Sequence, residues 1–195
     1  LKKNNASSPA PGQGSGPVPG PRVWDAAVRL LHWCLVAAVA AAWITRSRLG
    51  PLHENLGYAA LAIAAARTAW GFGGGKYARF AQFVRGPRAT WAYARAAGRG
   101  HAPRHLGHNP LGGWMVVALL ACIGLLGFTG WLYTTDLFWG YGWLAALHEG
   151  LGWALLGLVA LHVAGVAWTS LAHRENLVRA MFTGRKAPPR GDDVA

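Results

Sequence analysis

The chain has 195 residues, 53% of them apolar and 13% charged, and a formal net charge of +12. Its two cysteines, Cys34 and Cys122, fall in apolar windows, and there is no Cys-x-x-Cys-His, so covalent c-type haem attachment, a disulfide framework and a cysteine metal site are not written here. The basic balance raises nucleic acid as a partner, but the placement of the charge, taken up below, excludes it.

Residues 1–21, "LKKNNASSPAPGQGSGPVPGP", are rich in Pro, Gly and Ser. They cannot bury a core and lack the apolar stretch of a signal peptide, so they read as a disordered tail. Four windows follow, 23–45, 52–72, 111–135 and 147–172, each long and apolar enough to cross a bilayer, which takes about 20 residues. The third is the plainest, with no charged residue from Leu111 to Thr135. The rival is a soluble bundle of very buried helices, but such helices are rarely this long and uniformly apolar. The expected fold is therefore all-α, an integral membrane four-helix bundle over residues 22–183. Between the second and third windows, "GPRATWAYARAAG" (86–98) has Pro87 where a helix likes to begin, then interleaved aromatics and arginines. This predicts a short amphipathic helix in the membrane interface, anchored to lipid or, as the alternative, docking a partner. Residues 184–195 read as a second tail.

The basic residues are sided. Arg22 and Arg29 stand at or before the first window, Lys76 and six arginines from Arg79 to Arg104 lie between the second and third, and Arg174, Arg179, Arg185, Lys186 and Arg190 follow the fourth. The other two loops offer only Arg46, Arg48 and Asp136. The positive-inside rule then puts both termini and the middle loop of a multi-pass chain in the cytoplasm. Anionic lipid, rather than nucleic acid, is the expected counter-charge.

Eight histidines are present. His101, His105, His108 and His173 lie in basic segments and read as solvated or headgroup-facing. His32, His53, His148 and His162 fall in the spans or at their ends, where an ionisable residue is a functional candidate by default. His162 follows His148 by 14 residues, which on a helix is roughly 21 Å deeper and within about 40° of the same face. His32 precedes Arg46, at the top of the first span, by the same interval. The four therefore sort by depth into His53 with His148 near the periplasmic face and His32 with His162 near the cytoplasmic one. Two bis-histidine b haems stacked in a helix bundle would require this arrangement. Gly57, Gly150, Gly152, Gly157 and Gly165 near these histidines, and Gly124, Gly127 and Gly130 in the third span, offer room for a haem plane or for ordinary close packing.

"LHENLGY" (52–58) and "LHEGLGW" (147–153) repeat one phrase. Aligning them sets Arg67 opposite His162, at the level of the cytoplasmic pair. Arg67, and Arg29 one turn below His32, can each reach a haem propionate or snorkel to lipid phosphate. Glu54 and Glu149 are either acids placed in a first helical turn or proton acceptors for a quinol.

The stretches "VWDAAVRLLHW", "LHENLGY", "ARTAWGF", "ARFAQFVRGPRATWAY", "LGHNPLGGWM" and "ALHEGLGWALLGLVALHVAGV" resemble the bacterial cytochrome b561 family. Within it they are most similar to the branch that includes the b-type cytochrome subunits of nickel–iron hydrogenases. The likeness covers about residues 22–183. It implies a four-helix membrane cytochrome with two non-covalent b haems, ligated by His32 and His162 on the cytoplasmic side and by His53 and His148 on the periplasmic side. It also implies electron transfer between quinone and a redox partner, which is a c-type cytochrome, a hydrogenase or a dehydrogenase. A stand-alone quinol-oxidising enzyme that passes electrons to superoxide or a soluble acceptor is the nearest alternative. A transporter using the histidines for metal or protons is the alternative from another class, but the repeat here is parallel rather than inverted. Oligomeric state is left open, a homodimer included.

Overall fold

The computed structural model describes residues 20–47, 50–189, 191 and 193–194; the tail read over 1–21 and the last residues of the second tail lie largely outside this range. Among the described residues the chain forms seven α-helices and no strand. Four are long: α1 (Ala26–Thr45), α2 (Gly50–Gly73), α5 (Pro110–Tyr133) and α6 (Gly142–Ala172). Between α2 and α5 lie a 3-10 turn at Lys76–Ala78, the single-turn α3 (Phe80–Phe83) and α4 (Pro87–Gly98); α7 (Leu177–Thr183) closes the order.

Local chemistry sets most of the starts. Asp25 caps α1 by accepting from Val28 N at 2.8 Å, and Asn109 caps α5 by accepting from Gly112 N at 2.7 Å, with Pro110 in the first turn. Pro87 opens α4, as its sequence predicts. The start of α6 differs from expectation. It begins at Gly142 rather than near Leu147, because the preceding turn closes at Gly140 (φ +81°) and Tyr141 enters the helix without a side-chain cap.

Among the described residues, α1, α5 and α6 are long and apolar enough to cross a membrane. Helix α2 has 24 residues, but His53, Glu54, Asn55 and Arg67 dilute its apolar character. The surface is inverted relative to a water-soluble bundle. Of its 31 residues, α6 buries only Leu144 and Leu155, while Leu161, Trp168 and Leu171 stand exposed. So much exposed apolar side chain is expected where lipid is the solvent.

Helix α1 packs on α2, α2 on α5, and α5 on α6. The ring closes between α1 and α6 through side chains, Trp43 meeting Trp153 edge-on at 5.0 Å. Mid-bundle, Ala38, Ala60, Ala64, Cys122, Ile123 and Leu155 form one apolar layer contributed by all four long helices.

The described chain begins and ends at the same end of the bundle. There Val23 N and Trp24 N donate to Gly184 O at 2.8 and 3.1 Å, and the segment beyond α7 crosses the middle loop. Arg104 is 4% exposed and grips Glu175 through two nitrogens, Nη2 at 2.8 Å and Nε at 3.2 Å; it also reaches Asp193 and the carbonyl of Ala187. Lys186 Nζ joins Glu175 at 3.4 Å and donates to His105 O at 2.9 Å. Burial alone pushes the Glu175 carboxyl up, but its bonds from Arg104 and Ala187 N and the charge of Lys186 outweigh this and hold it below the usual range. Most of the arginines also lie here, so this is called the basic end and its opposite the far end.

Candidate functional site

The helix register brings the four span histidines together in two pairs. At the basic end His32 of α1 faces His162 of α6, ring centres 6.5 Å apart and planes at 56°. At the far end His53 of α2 faces His148 of α6, ring centres 6.1 Å apart and planes at 89°. The apolar layer lies between the levels, with Leu155 midway along α6 from His148 to His162.

The far-end pair has defined hydrogen bonds. His53 Nδ1 lies 2.9 Å from Ala42 O, and a carbonyl can only accept, so Nδ1 carries the proton and Nε2 keeps its lone pair. His148 Nδ1 lies 3.0 Å from Thr129 Oγ1 on α5. The Thr129 hydroxyl donates to the carbonyls of Leu125 and Leu126 at 2.8 and 3.1 Å, so its oxygen accepts from His148 Nδ1. Both rings thus leave Nε2 for a metal, held by outer partners of the kind that orient metal-bound imidazoles. Gly130, beside Thr129, leaves room for the His148 ring: a Cβ there would stand 3.1 Å from His148 Cε1. A side chain at Gly57, Gly150, Gly157 or Gly165 would meet nothing within 4 Å.

At the basic end His32 is followed by Trp33, which stacks on Phe182 of α7 at 4.3 Å. Arg29 donates to Phe182 O, so it is tied to the C-terminal helix, while its Nε is buried without a partner. Arg67 is 7% exposed. Its Nη2 reaches Ala78 O at 3.4 Å and its Nη1 is buried with no partner. Among the described residues no carboxylate lies within ion-pairing distance of it.

Three features escape a reading of the sequence. Thr129 is one: a lone hydroxyl in an otherwise apolar stretch of α5, at the level of His148, was its only signal. The surroundings of the two glutamates are another. Because α6 starts early and α2 starts at Gly50, Glu54 and Glu149 sit beyond the first turn, and the macrodipole does not account for them. Glu54 instead accepts from Tyr58 Oη at 3.1 Å, and that hydroxyl also touches Thr134 Oγ1 at 3.3 Å. The third is His108, which reads as a solvated loop histidine. Its ring is clasped by Trp24 at 4.7 Å and Phe83 at 4.6 Å, with Nδ1 buried. Burial, aided by the charges of Arg67, Lys186, His162 and His32, pushes its imidazole down to about 3.

Chemically, each pair can grip one metal ion from two sides with neutral nitrogens. Among the described residues no group of three or more His, Cys, Asp or Glu converges as a metal cage. Two imidazoles alone suit an ion whose remaining ligands come from elsewhere. The sequence profile described as prokaryotic cytochrome b561 matches residues 23–184. Searches of curated proteins and of solved structures return no match.

Proposed function

The chain belongs to the prokaryotic cytochrome b561 family, membrane b-type cytochromes of electron transfer, and from that premise we propose that it is a four-span di-haem cytochrome carrying electrons across the membrane. His32 and His162 hold the cytoplasmic-side haem, and His53 and His148 the periplasmic-side one. Electrons pass between the quinone pool and a redox partner, which is a c-type cytochrome, a hydrogenase or a dehydrogenase.

One observation carries the reading: two facing imidazole pairs at 6.5 and 6.1 Å, on two levels of one bundle. A nitrogen ~2 Å from a metal on each side, with the ring centre ~1 Å further out, sets ring centres ~6 Å apart. A haem would ask the protein for two imidazole nitrogens alone, which fits the absence of a third candidate ligand among the described residues. When bound, haem supplies the one-electron redox chemistry. The chain's residues do the rest. Thr129 and Ala42 O fix the far-end rings, and Arg67 offers an unpaired guanidinium nitrogen to a propionate of the cytoplasmic-side haem, with Arg29 below it. The apolar layer of Ala38, Ala60, Ile123 and Leu155 keeps water and protons from crossing between the levels. Glu54 and Glu149, both exposed at the far end, stand where a quinol proton can be accepted.

The sidedness of charge supports the basic end being cytoplasmic. The exposed residues of α2 between Asn55 and Arg67 are all alanines, which supports a fourth span. The test is the visible spectrum of the protein purified from cells supplied with haem. Sharp reduced α-bands and two haems per chain are expected; a colourless preparation overturns the proposal.

A further inference from the structure

Two buried nitrogens without partners, Nη1 of Arg67 and Nδ1 of His108, share one aromatic wall at the basic end. The Arg67 guanidinium lies 5.8 Å from the Phe80 ring centre, Phe80 meets Phe83 at 5.7 Å, and Phe83 meets His108 at 4.6 Å. His108 immediately precedes the cap of α5, where the helix adds partial positive charge. Arg67, Lys186, His162 and His32 all act electrostatically on it. Asp25 is the carboxylate whose charge reaches Arg67, but among the described residues none pairs with it directly, so the guanidinium and the ring nitrogen both stand buried without an acceptor. Water does not neutralise Arg67, whereas a carboxylate takes one donor on each oxygen.

We propose that His108 is a second positioning residue, beside Arg67, for a propionate of the haem held by His32 and His162. The inference rests on the haem reading above and adds to it a fifth histidine that is not a ligand. The Nδ1–H donates to the carboxylate, and Trp24 and Phe83 hold the ring in place for it. The loop from Gly100 to Asn109 thereby becomes part of the cofactor site rather than a connection on the surface.

The test uses the purified holoprotein of wild type, His108→Phe and His108→Gln. Phenylalanine keeps a ring between Trp24 and Phe83 but removes the donor; glutamine restores an N–H. Each is mixed with excess apomyoglobin as a haem scavenger, and the two haems are followed separately by redox titration. Loss of a charge-assisted hydrogen bond predicts about ten- to a hundredfold faster loss of the cytoplasmic-side haem from His108→Phe. That haem's midpoint potential also falls, because a donor that offset propionate charge is gone. The other haem is unchanged, and His108→Gln returns both properties toward wild type. If phenylalanine is not accommodated, His108→Met carries the same prediction.

Equal retention and potential in His108→Phe and wild type overturn the inference. So does equal impairment by Phe and Gln, which marks a packing role. Failure of the underlying reading looks different: His162→Ala then leaves the haem count unchanged. If His162→Ala removes one haem while His108→Phe behaves as wild type, only the role of His108 falls.

Discussion

Replacing Thr129 by valine removes one hydroxyl and little else, since the two side chains have nearly the same shape. Thr129 is 4% exposed, and its oxygen accepts from His148 Nδ1 at 3.0 Å. The Leu125 and Leu126 carbonyls that it also contacts belong to the helix ladder, so the variant's cost falls mainly on His148. A buried N–H left without an acceptor costs about 1–3 kcal/mol, or about a 5- to 150-fold change in an equilibrium constant. Outer-shell partners of metal-bound histidines cost about 10–100-fold in affinity when removed, a range that overlaps this one. The Thr129→Val variant should therefore release the His53/His148 haem to a scavenger about 10–100-fold faster, with the other haem unaffected. Its midpoint potential should also rise, because an imidazole that no longer donates from Nδ1 is a weaker base. Thr129→Ser keeps the hydroxyl and gives up one methyl, about 1 kcal/mol of packing, and should stay near wild type. Wild-type retention and potential in Thr129→Val would refute the assignment of Thr129 as the residue that orients His148.

Gly130→Val should disturb the same haem sterically, since even a Cβ would stand 3.1 Å from His148 Cε1; altered low-spin signals in its electron paramagnetic resonance spectrum check this. Arg104→Met leaves Glu175 as a buried, under-compensated charge and should destabilise the basic-end cap by about 3–5 kcal/mol, read as a lower midpoint of thermal unfolding in detergent. The acid response of that cap has a definite sign. Although burial opposes ionisation, Glu175 has its folded-state pKa depressed by its partners, so its contribution is full above the ordinary carboxylate range and is lost as pH falls through the depressed value. Proteolytic release of the C-terminal segment should rise only below the ordinary glutamate range; release that already climbs near neutral pH contradicts this.

The elements most legible in the sequence are those governed by local rules. The apolar window at 111–135 became α5 within two residues at each end, and Pro87 announced α4. The histidine pairing was legible for the same reason: a rise of 1.5 Å and a turn of 3.6 residues convert a 14-residue interval into depth and face. The start of α6 was not, because "GYGWLAALHEG" carries no cap signal and the histidine phrase sits two turns inside the helix. What escaped depends on tertiary neighbours. Thr129 meets His148 across 19 residues, and Arg104 meets Glu175 across 71. Neither spacing has a periodicity to reveal it. His108 looked solvated because its segment is basic, and only the packing of Trp24 and Phe83 shows the ring enclosed.

The central claim is that four histidines serve two haems in the pairing His32 with His162 and His53 with His148. Counting haems per chain in the four single alanine variants, with the redox titration of whichever haem remains, tests it most directly. His32→Ala and His162→Ala should each leave one haem of the same potential, and His53→Ala and His148→Ala should each leave the other. Retention of two bis-histidine haems in both His32→Ala and His162→Ala, or matching phenotypes across the pairs, contradicts the account.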